Sequence, residues 1–127
     1  MTQGHKDNPE LWFRPSRLPL PVLLELIESR RMTATPRLGA RDGNHLKGYE
    51  PGQVVTVRVL DDNGVEHARR KARIEAVTIR PLSHLTPGDL QNTFYHHWEE
   101  VREDFELFEK RSINDAEEAS IIEFSYL

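Results

Sequence analysis

The chain has 127 residues, 37% of them hydrophobic and 30% charged, with a formal net charge of −4 and no cysteine. That length corresponds to about one domain. The absence of cysteine excludes disulfides, thiolate catalysis and cysteine-ligated zinc or iron–sulfur sites. The charge is uneven. Residues 1–80 hold 14 Lys and Arg against 10 Asp and Glu, whereas residues 81–127 hold 3 against 11. A basic first part and an acidic last part fit either solvated faces that partly pair in the fold or a local basic cleft for nucleic acid or nucleotide, rimmed by acid that limits non-specific binding.

Residues 1–9 are polar and carry no periodicity, so they are expected to be disordered, and residues 10–127 to form a single domain. Glu10–Arg14 is short and aromatic, a first strand. Pro19 and Pro21 punctuate the start of a helix over Leu20–Arg31, in which Val22, Leu23, Leu26 and Ile27 recur at helical spacing. The longest apolar run, Leu18–Ile27, is interrupted by prolines and Glu25 and is too short for a membrane span of ~20 residues. No membrane partner and a cytoplasmic location are therefore expected.

Thr33–Leu38 reads as extended, because Pro36 biases the residue before it away from helix. Gly39–Gly48 is a polar loop. Pro51-Gly52 turns the chain into a strand, Gln53–Leu60, and Asp61-Asp62-Asn63-Gly64 is a hairpin signal. Val65–Ala68 and Lys71–Arg80 return as strand, the latter with Ala72, Ile74, Ala76 and Thr78 alternating against Arg73, Glu75 and Val77. Thr86-Pro87 suits the start of a short helical turn. Tyr95–Lys110 is a helix with Trp98, Val101, Phe105 and Phe108 on one face. Asp115–Ser120 is an acidic turn, and Ile121–Leu127 closes the chain as a strand. Short strands with two helices predict an α+β arrangement around a small curled or barrel-like sheet.

The segment Arg30–Arg37 is the most suggestive. Thr33 and Thr35 stand at period-2 spacing, and Arg31 and Arg37 bring planar donor forks suited to phosphate or carboxylate. Arg41, Lys47 and Tyr49 lie in or beside the following loop, where Tyr49 can stack on a base or pack against the Pro51-Gly52 turn. Adjacent His96 and His97 do not share a metal, and His96 with Glu100 supplies only two ligands. No metal and no cofactor are expected. The run Arg69-Arg70-Lys71 reads most simply as exposed charge after the hairpin, with nucleic-acid contact as the alternative.

In order and spacing, Arg31-Met32-Thr33-Ala34-Thr35-Pro36-Arg37, Pro51-Gly52-Gln53, Leu85-Thr86 and Ile122-Glu123-Phe124 resemble the ASCH family of PUA-like barrels. The resemblance implies an α+β, PUA-like small curled β-barrel with flanking helices. It also implies a cleft for RNA or a modified nucleoside or nucleotide. Similar proteins include bacterial amidohydrolases acting on N4-acetylcytidine, and ribonuclease activity is attributed to others. The family's motif threonine falls on Thr35 and its arginine on Arg37. Its glycine position is Arg30 and its lysine position is Met32. The family glutamate maps loosely to Glu99 or Glu100.

The leading reading is an RNA- or nucleotide-binding domain that uses Arg31, Thr33, Thr35, Arg37, Arg41, Lys47 and Tyr49. Whether the chain is an enzyme stays open. A second reading is an amidohydrolase or ribonuclease with Thr35 as nucleophile and Glu99 or Glu100 as acid–base group. A third is a protein–protein adaptor that uses the acidic helix.

Overall fold

The computed structural model describes residues 9–43 and 48–127. Residues 1–8 and Lys47, on which the sequence placed a disordered segment and a candidate ligand contact, lie outside the described residues. Seven elements follow in chain order: β1 (Glu10–Phe13), α1 (Leu20–Glu28), β2 (Ala34–Leu38), β3 (Val54–Leu60), β4 (Glu66–Pro81), α2 (Trp98–Glu109) and β5 (Glu118–Tyr126), with a 3₁₀ turn at Leu82–His84. The strands form one sheet in the order β1-β3-β4-β5-β2, curled into a half-barrel. β1 runs parallel to β3, and the other pairs are antiparallel.

Two apolar clusters hold the sheet. α1 buries Leu23, Leu26 and Ile27 against Leu11 and Phe13 of β1, Val55, Val57 and Val59 of β3, and Ile122 and Phe124 of β5. α2 buries Val101 and Phe105 against Ile121 and Ala119 of β5 and Ala34 of β2. Successive residues of a strand face opposite ways. Ile121 and Ile122 therefore serve different clusters, and β5 is apolar throughout its centre because both of its faces are covered.

The elements differ from the sequence reading where a local device overrides the pattern. α1 stops at Glu28 rather than Arg31. Ser29 ends the helix, and Arg30 takes a left-handed conformation (φ 63°) while its backbone N–H reaches Ile27. α2 begins at Trp98 rather than Tyr95. His97 is its N-cap, and the Glu100 carboxylate accepts the backbone N–H groups of His96 (2.6 Å) and His97 (3.4 Å).

The strand read as two pieces, Val65–Ala68 and Lys71–Arg80, is the single strand β4. Arg70 occupies an inward register opposite Val57 and reaches Glu28 at 3.5 Å. A charge thus interrupts the alternation without interrupting the strand. A bulge between Ile74 and Ala76 then shifts the register, so Val77 rather than Ala76 packs on the α1 cluster. The hairpin turn is held by Asp61, whose Oδ1 accepts the N–H groups of Asn63 and Val65, and by Gly64 at φ 82°.

Candidate binding cleft at the seam of the sheet

β1 and β2 are the two edges of the sheet, and the curl brings them face to face. Arg37 of β2 bridges them. Its Nη2 donates to the carbonyl oxygen of Trp12, and its Nη1 donates to Thr35 Oγ1 (2.6 Å) and to the carbonyl oxygen of Pro36 (2.8 Å). The guanidinium carbon lies 5.1 Å from the centre of the Phe13 ring. Burial draws the Arg37 side chain below the usual arginine value, but arginine starts so high that it stays charged at neutral pH.

A cavity of about 200 Å³ opens along this seam. Trp12, Phe13, Tyr95, Phe105 and Phe108 give it aromatic walls, and Arg14, Arg17, Arg37 and Arg41 place four guanidinium-bearing side chains on its lining. The segment before α2 supplies one wall through an unusual backbone. Phe94 sits at φ 70°, costly for a bulky side chain. The turn is fixed by Thr93, which is 1% exposed, donates to the Leu90 carbonyl oxygen at 2.8 Å and accepts the Tyr95 N–H at 3.2 Å.

Asp104 lies in this lining and is 1% exposed. Its Oδ2 accepts the hydroxyl groups of Ser16 (2.9 Å) and Tyr95. Its Oδ1 is buried with no hydrogen-bond partner among the described residues. Burial, then the adjacent Asp104 charge, push the Tyr95 hydroxyl far above its usual value, so Tyr95 remains a neutral donor. Arg17 stands over Tyr95, 6.0 Å from the ring centre, and pairs with Glu100 at 3.1 Å.

The structure brings together only part of the set that the sequence suggested. Thr35, Arg37 and Arg41 line the cavity, and Thr35 is 5% exposed. Arg41 donates from Nε to the Leu38 carbonyl oxygen (2.9 Å). Arg31 and Thr33 are not among the lining residues: Arg31 is exposed and paired with Glu25, and the Thr33 carbonyl oxygen accepts the Phe124 N–H. Tyr49 is buried in the α1 cluster, its hydroxyl donating to the Glu10 carbonyl oxygen at 2.8 Å, so it packs rather than stacks at the cleft. Glu99 is exposed and Glu100 caps α2 and holds Arg17; neither is on the cavity lining. Met32 is 4% exposed and forms part of the apolar wall. No group of three metal-ligating side chains occurs among the described residues, nor is any helix there long and apolar enough to cross a membrane.

The residues the sequence reading passed over are Asp104, Tyr95, Ser16, Arg14 and Arg17. One signal for Asp104 was present. It stands three residues after Val101 and four before Phe108, so it interrupts the apolar stripe of its own helix. A carboxylate in a buried stripe needs partners, and partners imply a polar site.

No protein-family model matches this chain, and no curated protein matches it in sequence. Solved structures do. An ASCH domain from Lactobacillus crispatus JV V101 superposes with a TM-score of 0.64 at 11% identity, covering 94% of this chain and 79% of that one. The fold is that of an ASCH domain. Protein EF3133 from Enterococcus faecalis V583, described by the family model DUF984, superposes on this chain with a TM-score of 0.66 at 19% identity, over 94% and 80% of the two chains. The hypothetical protein PH0355 gives a TM-score of 0.55 at 16% identity over 94% and 99%. The curled sheet and flanking helices expected from the sequence are thus those of ASCH-fold structures.

Proposed function

We propose that this chain is an RNA- or nucleotide-binding domain that holds one base in the seam cavity. The observation that carries this reading is the buried Asp104 Oδ1, unpartnered among the described residues and set in an aromatic, arginine-lined cavity. A buried acceptor left without a donor costs about 1–3 kcal/mol, more when charged. A ligand N–H recovers that cost. Carboxylates accept from the exocyclic amino group of cytosine, and the aromatic walls suit the π-face of a base. The arginines then face the phosphate. At about 200 Å³ the cavity is smaller than the ~300 Å³ at the lower end for drug-sized ligands, which favours a single base over a larger group.

The same geometry supports binding over turnover. Thr35 Oγ1 accepts a hydrogen bond from Arg37, and an arginine does not take a proton from a hydroxyl near neutral pH. Met32 occupies the position at which the family resemblance expects a lysine, and it is buried among apolar side chains.

The test is calorimetric titration with cytidine and uridine 5′-monophosphates, which differ at the amino or carbonyl group of position 4. The cytidine nucleotide should bind more tightly, because the uracil carbonyl oxygen faces a carboxylate acceptor. Asp104→Asn should weaken cytidine nucleotide binding by roughly 10- to 100-fold, the scale of one hydrogen bond to a charged group. Equal affinities for the two nucleotides, unchanged by Asp104→Asn, would overturn the reading.

A further inference from the structure

The run Arg69-Arg70-Lys71, whose sequence left surface charge and nucleic-acid contact both open, acquires neighbours in the fold. Opposed residues of paired strands share a face. The register places Arg58 opposite Arg69, Thr56 opposite Lys71 and Val54 opposite Arg73, on the side away from the α1 cluster, and β1 adds Trp12 beside Arg58. Trp12 is 46% exposed, with Arg58 5.4 Å and Arg14 5.6 Å from its ring centre. Its indole N–H is anchored on Glu10 at 2.6 Å.

The carboxylates at the Trp12 end of this face are committed, and Glu123 of β5 lies exposed beyond Ser125 at its other margin. Glu10 and Glu66 hold Arg58 (3.0 and 2.6 Å), and Glu66 also holds Arg69 (2.9 Å). Lys71 donates to Thr56 Oγ1, and neither Lys71 nor Arg73 has a carboxylate partner among the described residues. Arg69, Lys71 and Arg73 are all exposed and recur at about 6.8 Å, two residues of an extended strand. Glu75, bonded by Ser125, bounds the far end. At the near end Trp12 and Arg14 also line the seam cavity, so the face and the cavity are continuous.

We infer that this sheet face is a track for single-stranded RNA leading out of the cavity, with Trp12 as a stacking platform and Lys71 and Arg73 as phosphate-binding side chains. The inference rests on the reading of the cavity as a base site. An exposed aromatic flanked by guanidinium groups, followed by a row of cations, is the arrangement that binds an unpaired strand through stacking and backbone charge. An acidic protein surface would use the cations but not the indole.

The experiment pairs two probes on the full chain. A short labelled oligocytidylate is titrated by fluorescence anisotropy across several salt concentrations, and cytidine 5′-monophosphate is titrated by calorimetry. The double variant Lys71→Ala/Arg73→Ala removes two exposed side chains that do not line the cavity. It should weaken the oligonucleotide by roughly 5- to 10-fold and flatten the log–log salt slope by about 1.4, near 0.7 for each phosphate that a side chain no longer neutralises, while mononucleotide affinity stays the same. Trp12→Ala should weaken the oligonucleotide without changing that slope. Oligonucleotide affinity and slope that survive the double variant would overturn the track, whatever the mononucleotide does. If the mononucleotide does not bind but the oligonucleotide responds as expected, the cavity reading is overturned and the track on the sheet face stands.

Discussion

Arg37 in β2 donates a hydrogen bond to the carbonyl oxygen of Trp12 in β1, and so ties together the two edges of a sheet whose order places them farthest apart. The same guanidinium bonds Thr35 and Pro36 and lies against Phe13. Edge strands expose unpaired backbone groups that must be covered, and here a side chain covers one carbonyl oxygen. A single planar fork reaches several acceptors in one fixed geometry, which the compact ammonium of a lysine does not reproduce. Arg37→Ala should therefore destabilise the fold by about 2–4 kcal/mol, the sum of hydrogen bonds worth ~0.5–1.5 kcal/mol each, and Arg37→Lys should recover less than half of this. Urea denaturation of the two variants checks both values. A loss under ~0.5 kcal/mol for Arg37→Ala would show that the seam closes without it.

Arg30 gives a second prediction. It takes φ 63° immediately after the α1 cap, the position where helices commonly place glycine. The family resemblance puts a glycine at this residue, and the backbone gives the reason: a left-handed turn reverses the chain into β2. Arg30→Gly removes the Cβ penalty of ~1–2 kcal/mol but adds freedom to the unfolded chain. The expected outcome is a gain of about 0.5–1 kcal/mol in thermal unfolding, with Arg30→Val losing at least as much. A lower melting temperature for Arg30→Gly would mean that the arginine side chain stabilises the turn through its surroundings.

The scaffold was legible because it depends on local rules. The Pro51-Gly52 turn into the strand ending at Leu60, the Asp61–Gly64 turn signal and the stripe through Val101 and Phe105 are each carried by neighbouring residues, and each survives in the fold. The cleft was only half legible. Thr35 and Arg37 sit in a segment whose motif could be read, whereas Asp104, Tyr95, Ser16 and Arg17 come from two distant stretches, Ser16 and Asp104 standing 88 positions apart. Nothing local marks Ser16 as a partner of Asp104, and their meeting follows from how α2 docks beside β1 and β2. Glu100 was misleading for a complementary reason. Its spacing from His97 is a capping-box spacing, so its chemistry is spent on the helix end. Arg69 and Lys71 read most simply as surface charge because the run of three charges hid the alternation that puts them on one face and Arg70 on the other.

The last prediction concerns acid. Glu117, in the turn before β5, is held by both terminal nitrogens of Arg111 (2.8 and 3.0 Å) and accepts the Asn114 N–H (2.9 Å). The Arg111 fork, then the Asn114 N–H, lower its carboxyl to about 2. The carboxyl titrates lower in the folded chain than in the unfolded chain, where its value is ~4.3. Its contribution to stability is therefore fully present above that unfolded value and is lost as pH falls through about 2. The pair is exposed at the surface, so added salt should weaken it. Carboxyl-resolved NMR should place the Glu117 midpoint near 2, and Arg111→Ala should return it toward the ordinary glutamate range. Glu117→Gln should make the acid limb of stability against pH shallower between about 4.5 and 2, with little change in the shape of the curve above pH 5. An ordinary midpoint in the unaltered chain would show that the Arg111 fork is not populated in solution. The turn leading into β5 would then be held by the backbone bond from Glu117 to Asn114 and by the Asn114 side chain on the Ala116 N–H.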